Sequence, residues 1–512
     1  MVFYFGKRWQ FLALLGLFAL GLTQCAAPRK IPRPVSMPVP AMAITSLESL
    51  AASIDSLITG PRFRTTNVGV RVVRIRDGKV LYDHNGGKLF HPASNMKLFT
   101  TAAALKYLGP DFRFVTRVAA DIETAVTDTL KGDLYLIGAG DPDFSYGDLA
   151  YLVEQLHARG IRYIDGNIIC DDTALDTLWY GNGWMWDEGD SRDFAPIGAL
   201  TLHDNSVEVH VASGDSAGQP LKVWLVPETS YLNIINSSQT ISLQMMRSES
   251  DFDYRPVEIE RNWQARENSI RIEGMLPNDG TEVTEWINVV NPSLYFGQVF
   301  REQCEEKGIG IAGTVQRGAA PDTFRVLARQ VSEPLLNLVI NTNKPSDNLS
   351  AELLLKTVGA KVFGAPGTAS KGIQAIKTML SGWGLDTTRC RFTDGSGVSR
   401  YNLVSPDILV GLLVNLYRDF SLRSEFIASL PIAGVDGTLR TRMKQTAAFR
   451  VVHAKTGTLS GVTTLSGYTQ SLDGEVLAFS IMMSHFLDSA WVYRNIQDEI
   501  CDRLTRLYLP SQ

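Results

Sequence analysis

The sequence predicts an α+β fold, an antiparallel sheet flanked by helices and interrupted early by β-rich insertion domains. Three observations carry it. Near the start, "NVGVRVVRIRDGKVLYDHN" (67–85) reads as two strands hinged at Asp77-Gly78, a pair that tolerates the positive φ of a tight hairpin turn. Near the end, the strand-like runs "RVVHAKTGTL", "TLSGYTQ" and "VLAFSIMMSHF" precede "SAWVYRNIQDEICDRLTRLY", where Val492, Ile496, Ile500 and Leu504 form an apolar stripe for a helix packed on the sheet. Between them, from about Phe114 to Asn291, short β-rich runs alternate with Gly, Asp and Asn turns.

The elements follow in order. Lys7 and Arg8 precede an apolar run from Phe11 to Leu22, too short to span a bilayer comfortably, so residues 1–25 read as an export signal. Leu22-Thr23-Gln24-Cys25 resembles a lipobox, which makes Cys25 a lipidation candidate; cleavage near Ala26 or Ala27, or an uncleaved anchor, are the alternatives. Prolines 28, 32, 34, 38 and 40 then mark 26–45 as an extended tether. A first helix is expected near Leu47 to Ile58. A second opens at Pro92, with Leu98, Ala102, Leu105 and Leu108 at helical spacing before Gly109-Pro110 ends it. One domain is expected to combine 46–118 with 292–512, around an insertion at 119–291 made of two β-rich subdomains.

Composition narrows the function. The 512 residues are 45% hydrophobic and 20% charged, an ordinary globular balance with length for more than one core. A net charge of −5 without a basic stripe argues against a nucleic-acid partner. The five cysteines show no CxxC pairing, the seven histidines no HExxH, and no GxxxxGK[ST] loop occurs, so no metal and no cofactor is implied. Any membrane association runs through the N-terminal signal or its lipid.

Three short motifs remain. Ser-x-x-Lys occurs once, at Ser94 and Lys97, on the expected helix start; Ser346-Asp347-Asn348 occurs once, where a loop opens into a helix; Lys455-Thr456-Gly457 occurs once, on a strand. Each has a bland reading: a helix cap beside a solvated lysine, an N-cap, an edge strand ending in a turn. Each also has a chemical one. A serine hydroxyl is a poor nucleophile and needs an adjacent base, which Lys97 supplies if burial and cationic neighbours such as Lys455 disfavour its charge. Ser346 is placed to relay a proton to a leaving amine, and Asn348 to orient substrate or Lys97. Lys455 and Thr456 can hold a terminal carboxylate. Gly457 counts with them as a substrate-binding residue, and the Thr458 and Ser94 amides form an oxyanion hole. His91, His453, Asp141 and Asp143 take structural readings, the aspartates as turn formers.

In this order the trio is the signature of penicillin-binding proteins and class A β-lactamases. The gap between the first two motifs, more than twice that between the last two, resembles the class C low-molecular-mass penicillin-binding proteins, the D-alanyl-D-alanine carboxypeptidase/endopeptidase family. The resemblance runs from about Leu47 to Tyr508. It implies a penicillin-binding/transpeptidase-like domain and an exported serine DD-peptidase acting on peptidoglycan stem peptides or cross-links through a Ser94 acyl-enzyme, and acylated by β-lactams. "TDGSGVSRYNLVSP" (393–406) resembles the segment that places an arginine, here Arg400, at the substrate side. "GWMWDEGD" (183–190) resembles the insertion stretch whose acid faces the cleft, carried over to Glu188. "GVDGTLRTRM" (434–443) matches without an evident chemical role. A silent wall-binding or β-lactam-sensing module and a β-lactamase remain the competing functions.

Overall fold

The computed structural model describes residues 42–244 and 253–509; the export signal, Cys25 and most of the tether lie outside the described residues. The tether ends earlier than expected, because Ile44 already bridges to Leu507 and exchanges backbone hydrogen bonds with Arg506 and Tyr508.

The central sheet has the strand order His453–Leu459, Val462–Gln470, Val476–Ser484, Asn67–Arg74, Val80–His84, every neighbour antiparallel. The expected hairpin is there: Gly78 sits at φ +74°, and its amide reaches the Arg74 carbonyl at 2.9 Å. An early and a late stretch of the chain meet in this sheet, since Asn67–Arg74 pairs with Val476–Ser484 along its whole length.

Period-2 alternation divides the sheet's side chains between two cores. Leu477, Phe479, Ile481 and Met483 join Val68, Val70 and Val72 beneath the helices Leu47–Ile58 and Ala490–Thr505. Ala478 and Met482 face the other way, onto a helical layer around Met96–Leu108. That helix is buried on all sides from Met96 to Leu105, which explains why its apolar positions did not confine themselves to one stripe. On the terminal helix the buried face is Tyr493, Gln497, Ile500, Cys501 and Leu504, so the expected stripe is turned; Val492 and Ile496 are only partly covered. Buried Gln497 is satisfied by Arg442 and Thr463.

The insertion is larger than expected and holds a second helix beside the one expected around "YGDLAYLVEQLHARG" (146–160). Its main sheet runs Val315–Arg317, Ile168–Asp171, Leu134–Ile137, Val115–Asp121, Phe324–Val331, partly parallel, so it opens at Val115 and closes only at Val331. The helix Pro292–Glu306, expected to belong to the outer domain, puts Tyr295, Phe296, Val299, Phe300 and Cys304 into the insertion's core beside the helix Tyr146–Ala158. Helical periodicity shows that a segment has an apolar face, not which core receives it. Smaller sheets, built on strands such as Ser206–Ala212 and Ser269–Glu273, are nested within. The four described cysteines are free thiols.

Phe479 is fully buried on a strand between two others. Phe479→Ala is expected to cost about 3–5 kcal/mol of stability, read as a lower urea midpoint with an unchanged m-value.

Candidate active site

Between the end of the strand His453–Leu459 and the start of the helix Asn348–Phe363 lies a cleft of about 430 Å³, with Ser94 on its wall. Ser94 stands in a single 3₁₀ turn, Ala93–Asn95, that runs directly into the helix Met96–Leu108. Ala93 holds φ +47°, and on the opposite side of the cleft Ser346 holds φ +76°. Left-handed backbone at non-glycine residues costs roughly 1–3 kcal/mol each. Both strained positions thus sit at the cleft.

Lys97 lies one turn beyond Ser94 and is wholly buried. Its Nζ donates to Ser94 Oγ at 3.1 Å, Asn348 Oδ1 at 2.6 Å and the Ser396 carbonyl at 2.9 Å. Burial pushes Lys97 down to about 8, while Asp347, Asp394, Glu352 and Asp193 pull the other way. Asn348 is fixed in turn, donating through Nδ2 to the Asp193 carbonyl at 2.9 Å. The bland reading of the second motif holds as well: Asp347 caps its helix, accepting from the Ser350 amide at 2.6 Å.

The third motif lies on the edge strand, packed against the Ser94 turn. Asn95 Nδ2 donates to the Lys455 carbonyl at 2.9 Å. A Cβ on Gly457 would stand 2.9 Å from both the Pro92 carbonyl oxygen and the Ser94 nitrogen, and 2.3 Å from Thr464 Oγ1, so only glycine permits this approach. Gly397, at φ +90°, is equally constrained, because its Cβ would fall 1.8 Å from the Ala93 carbonyl oxygen. Lys455 is fully buried, with Nζ on the Thr456 carbonyl at 3.0 Å. Burial first, and the charge of Lys97 second, hold it well below the usual lysine value. The cleft wall itself carries Thr456, Gly457 and Thr458 but not Lys455.

Two expected residues stand elsewhere. Glu188 lines a neighbouring cavity with Trp186 and Trp263, and the insertion acid on the Ser94 cleft is Asp193. The two sites are five residues apart in a stretch with four acids, Asp187, Glu188, Asp190 and Asp193, and sequence alone does not say which one the short turn Arg192–Phe194 carries to the wall. Arg400 donates to the Ser460 carbonyl at 2.9 Å, just past the edge strand, outside the cleft lining.

Other cleft residues went unpredicted. Thr438, inside "GVDGTLRTRM", accepts from Thr456 Oγ1 at 2.7 Å, and its amide donates to the Lys344 carbonyl at 3.0 Å. Asp436 pairs with Lys344. That segment therefore braces the loop carrying Ser346, which is the role its sequence did not disclose. From the terminal helix Arg494 donates to Thr458 Oγ1 at 2.9 Å, and Arg442 lies beside it. Arg442 is paired with Asp498 at 2.6 Å, whereas Arg494 forms no ion pair among the described residues, and burial together with Arg442 lowers its affinity for its proton. From the insertion, Trp184 Nε1 donates to Asp394 Oδ2 at 3.1 Å, tying it to the Thr393–Arg400 loop.

Comparison with known proteins places the chain as a whole. Residues 50–507 match the D-Ala-D-Ala carboxypeptidase 3 (S13) family. A D-alanyl-D-alanine carboxypeptidase from Actinomadura sp. (strain R39) is 37% identical over 482 residues, covering 91% of this chain and 86% of that protein. D-alanyl-D-alanine carboxypeptidase DacB from Haemophilus influenzae is 27% identical, covering 81% and 84%. The crystal structure of penicillin binding protein 4 from Haemophilus influenzae, 24% identical, superposes with a TM-score of 0.77 over 89% of this chain and 99% of its own, which bears on the fold. A second structure of that protein, complexed with a β-lactam, gives 0.70.

Gly457→Ala is expected to displace the Ser94 turn while the sheet persists. The far-ultraviolet circular dichroism spectrum should stay unchanged while acylation of the protein by a fluorescent penicillin slows by on the order of 100-fold, the scale on which misplaced reacting groups lose rate.

Proposed function

The chain belongs to the D-Ala-D-Ala carboxypeptidase 3 (S13) family, and on that premise we propose that it cleaves the D-alanyl-D-alanine bond of peptidoglycan stem peptides and cross-links with Ser94 as nucleophile and Lys97 as base. It is a serine DD-peptidase of the cell envelope. The observation that carries the residue assignment is the three-point seat of Lys97 Nζ. Two N–H groups are held by Asn348 Oδ1 and the Ser396 carbonyl, so the remaining tetrahedral position faces Ser94 Oγ and, in the neutral amine, holds the lone pair. A base poised near 8 is matched to proton transfer around neutral pH.

The steps follow. Lys97 takes the Ser94 proton as Oγ bonds to the D-alanyl carbonyl carbon. The carbonyl oxygen becomes an oxyanion, met by the Ser94 amide and by the Thr458 amide on the edge strand. The carbon–nitrogen bond then breaks as the proton passes by way of Ser346 to the leaving amine, and water later resolves the ester. The leaving amino acid carries a carboxylate beside its nitrogen. Thr456 and Thr458 offer it hydroxyls and Arg494 a cation that has no ion pair among the described residues, while Lys455, out of the cleft lining, shapes the potential from beneath. Export through the N-terminal signal and lipid attachment at Cys25 place the enzyme on the periplasmic side of a membrane.

Penicillin offers a strained amide and a carboxylate in a similar relation, so mass spectrometry should find one persistent penicilloyl adduct, on Ser94. Lys97→Ala should cut acylation by on the order of 100-fold or more. No adduct, an adduct elsewhere, or rapid recovery of free enzyme would overturn the assignment. Arg494→Gln should raise KM for a peptide ending in D-Ala-D-Ala several-fold and leave KM for the matching C-terminal amide unchanged; equal effects on both would exclude Arg494 from carboxylate binding. Cys25→Ala should move the protein from the membrane fraction to the soluble envelope fraction.

A further inference from the structure

Glu352 lies four residues beyond Asn348 on the helix Asn348–Phe363, on the same face. It is fully buried. Its Oε1 accepts from the Gly395 amide at 2.9 Å and the Ser396 amide at 2.8 Å, and Oε2 has no hydrogen-bond partner among the described residues. The Ser396 carbonyl is one of the three acceptors on Lys97, and the Gly395 carbonyl accepts from Thr100 at 2.7 Å, one turn beyond Lys97 on the same helix. One carboxyl therefore holds the peptide pair that holds the base.

A bond to two amides requires only an acceptor, which a glutamine would supply. A carboxyl with one oxygen unpartnered in a dry interior is a costly way to make it, because burial disfavours the ion. Burial and neighbouring Asp394 indeed push Glu352 up to about 7. The charged groups around it narrow what that charge acts on. Glu352 acts on Lys97 of the Ser94 helix, with Lys455 beyond on the edge strand, and Asp394 of the Thr393–Arg400 loop acts on Glu352; Asp394, Asp193 from the insertion and Asp347 from the start of the Glu352 helix act on Lys97 as well. Lys356, one turn further along that helix, is already engaged by Asp176 at 2.7 Å and the Leu178 carbonyl at 2.6 Å. Lys97 has no charged partner within hydrogen-bond reach among the described residues; its three acceptors are a hydroxyl, an amide oxygen and a peptide carbonyl.

We propose that Glu352 is a positioning residue for acylation: it clamps the Gly395–Ser396 peptide so that the Ser396 carbonyl holds one Lys97 N–H, and its negative charge keeps Lys97 basic enough to take the Ser94 proton. The proposal rests on the assignment of Ser94 and Lys97 made above. Burial alone drives a lysine toward a neutral but feeble base, and an anion one peptide away counters that without forming an ion pair that would lock the proton on.

The test is the pH dependence of the second-order rate of Ser94 acylation by penicillin in the wild type, Glu352→Gln and Glu352→Asp. In the wild type the acid limb follows loss of the Lys97 proton. Glu352→Gln keeps an acceptor for both amides and removes the anion, so Lys97 gives up its proton more readily. The acid limb should move to lower pH by on the order of 1 unit, while the plateau falls because the base is weaker. A plateau that falls with the limb in place, or a limb that moves to higher pH, would leave Glu352 a purely structural group and overturn the proposal. Glu352→Asp keeps the charge, so its limb should stay where the wild type has it even as the plateau drops. If thermal melting shows that the Gln variant does not fold, the Asp variant decides: a limb in place supports the proposal and one moved to lower pH overturns it. A wild type that forms no Ser94 adduct would instead remove the nucleophile assignment, and the proposal with it.

Discussion

A lysine nitrogen kept out of water and given three uncharged acceptors is the constraint around which this structure is arranged. Lys97 comes from one helix, Asn348 from another, and Ser396 from a loop, and all must be in place for Nζ to point its fourth position at Ser94. Burying an ammonium is expensive unless its hydrogen bonds are satisfied, and an unsatisfied one would simply shed its proton. The full set of acceptors makes the buried lysine tolerable, and the dry surroundings make it a base. The same burial acts on Lys455, which shares the region and is depressed further because Lys97 is nearby.

The scaffolding around that nitrogen accepts local strain. Ala93 and Ser346 keep left-handed backbone, and Gly397 and Gly457 let two main chains come closer to the Ser94 turn than any side chain would allow. Such positions persist only where the surroundings over-determine them. Here the surroundings are the all-buried Ser94 helix on one side and the central sheet on the other, with Thr464 Oγ1 donating to the Pro92 carbonyl at 2.8 Å and Asn95 donating to the edge strand.

The insertion takes part in the site. The Asp193 carbonyl orients Asn348, and the Trp184 indole is bonded to Asp394, whose oxygens also accept from the amides of Gly397 at 2.9 Å and Ser399 at 2.6 Å. A region more than a hundred residues from either in sequence thus braces Asn348 and the loop that carries Ser396, the sources of two of the three acceptors of Lys97. An inserted domain that merely decorated the enzyme would not reach its second motif and the Thr393–Arg400 loop together.

Much of this was legible in the amino-acid order, because chemistry tied to local spacing is written locally. Ser94 and Lys97 are one turn apart wherever a helix begins, Asp77-Gly78 closes a hairpin, and Asp347 caps the helix that starts at Asn348. What the sequence left open is whatever depends on which surfaces meet. An amphipathic pattern does not name its partner, so the helix Pro292–Glu306 was expected in the outer domain and lies in the insertion's core. Four acids within seven residues do not reveal which one a turn will carry to the cleft, so Glu188 was expected where Asp193 stands. Arg494 and Glu352 have no motif at all, and the segment with Thr438 matched without disclosing a role. They matter because folding brings them beside Thr458, Thr456 and the peptide under Lys97, and distance in space, unlike spacing along a helix, is decided only when the whole chain has packed.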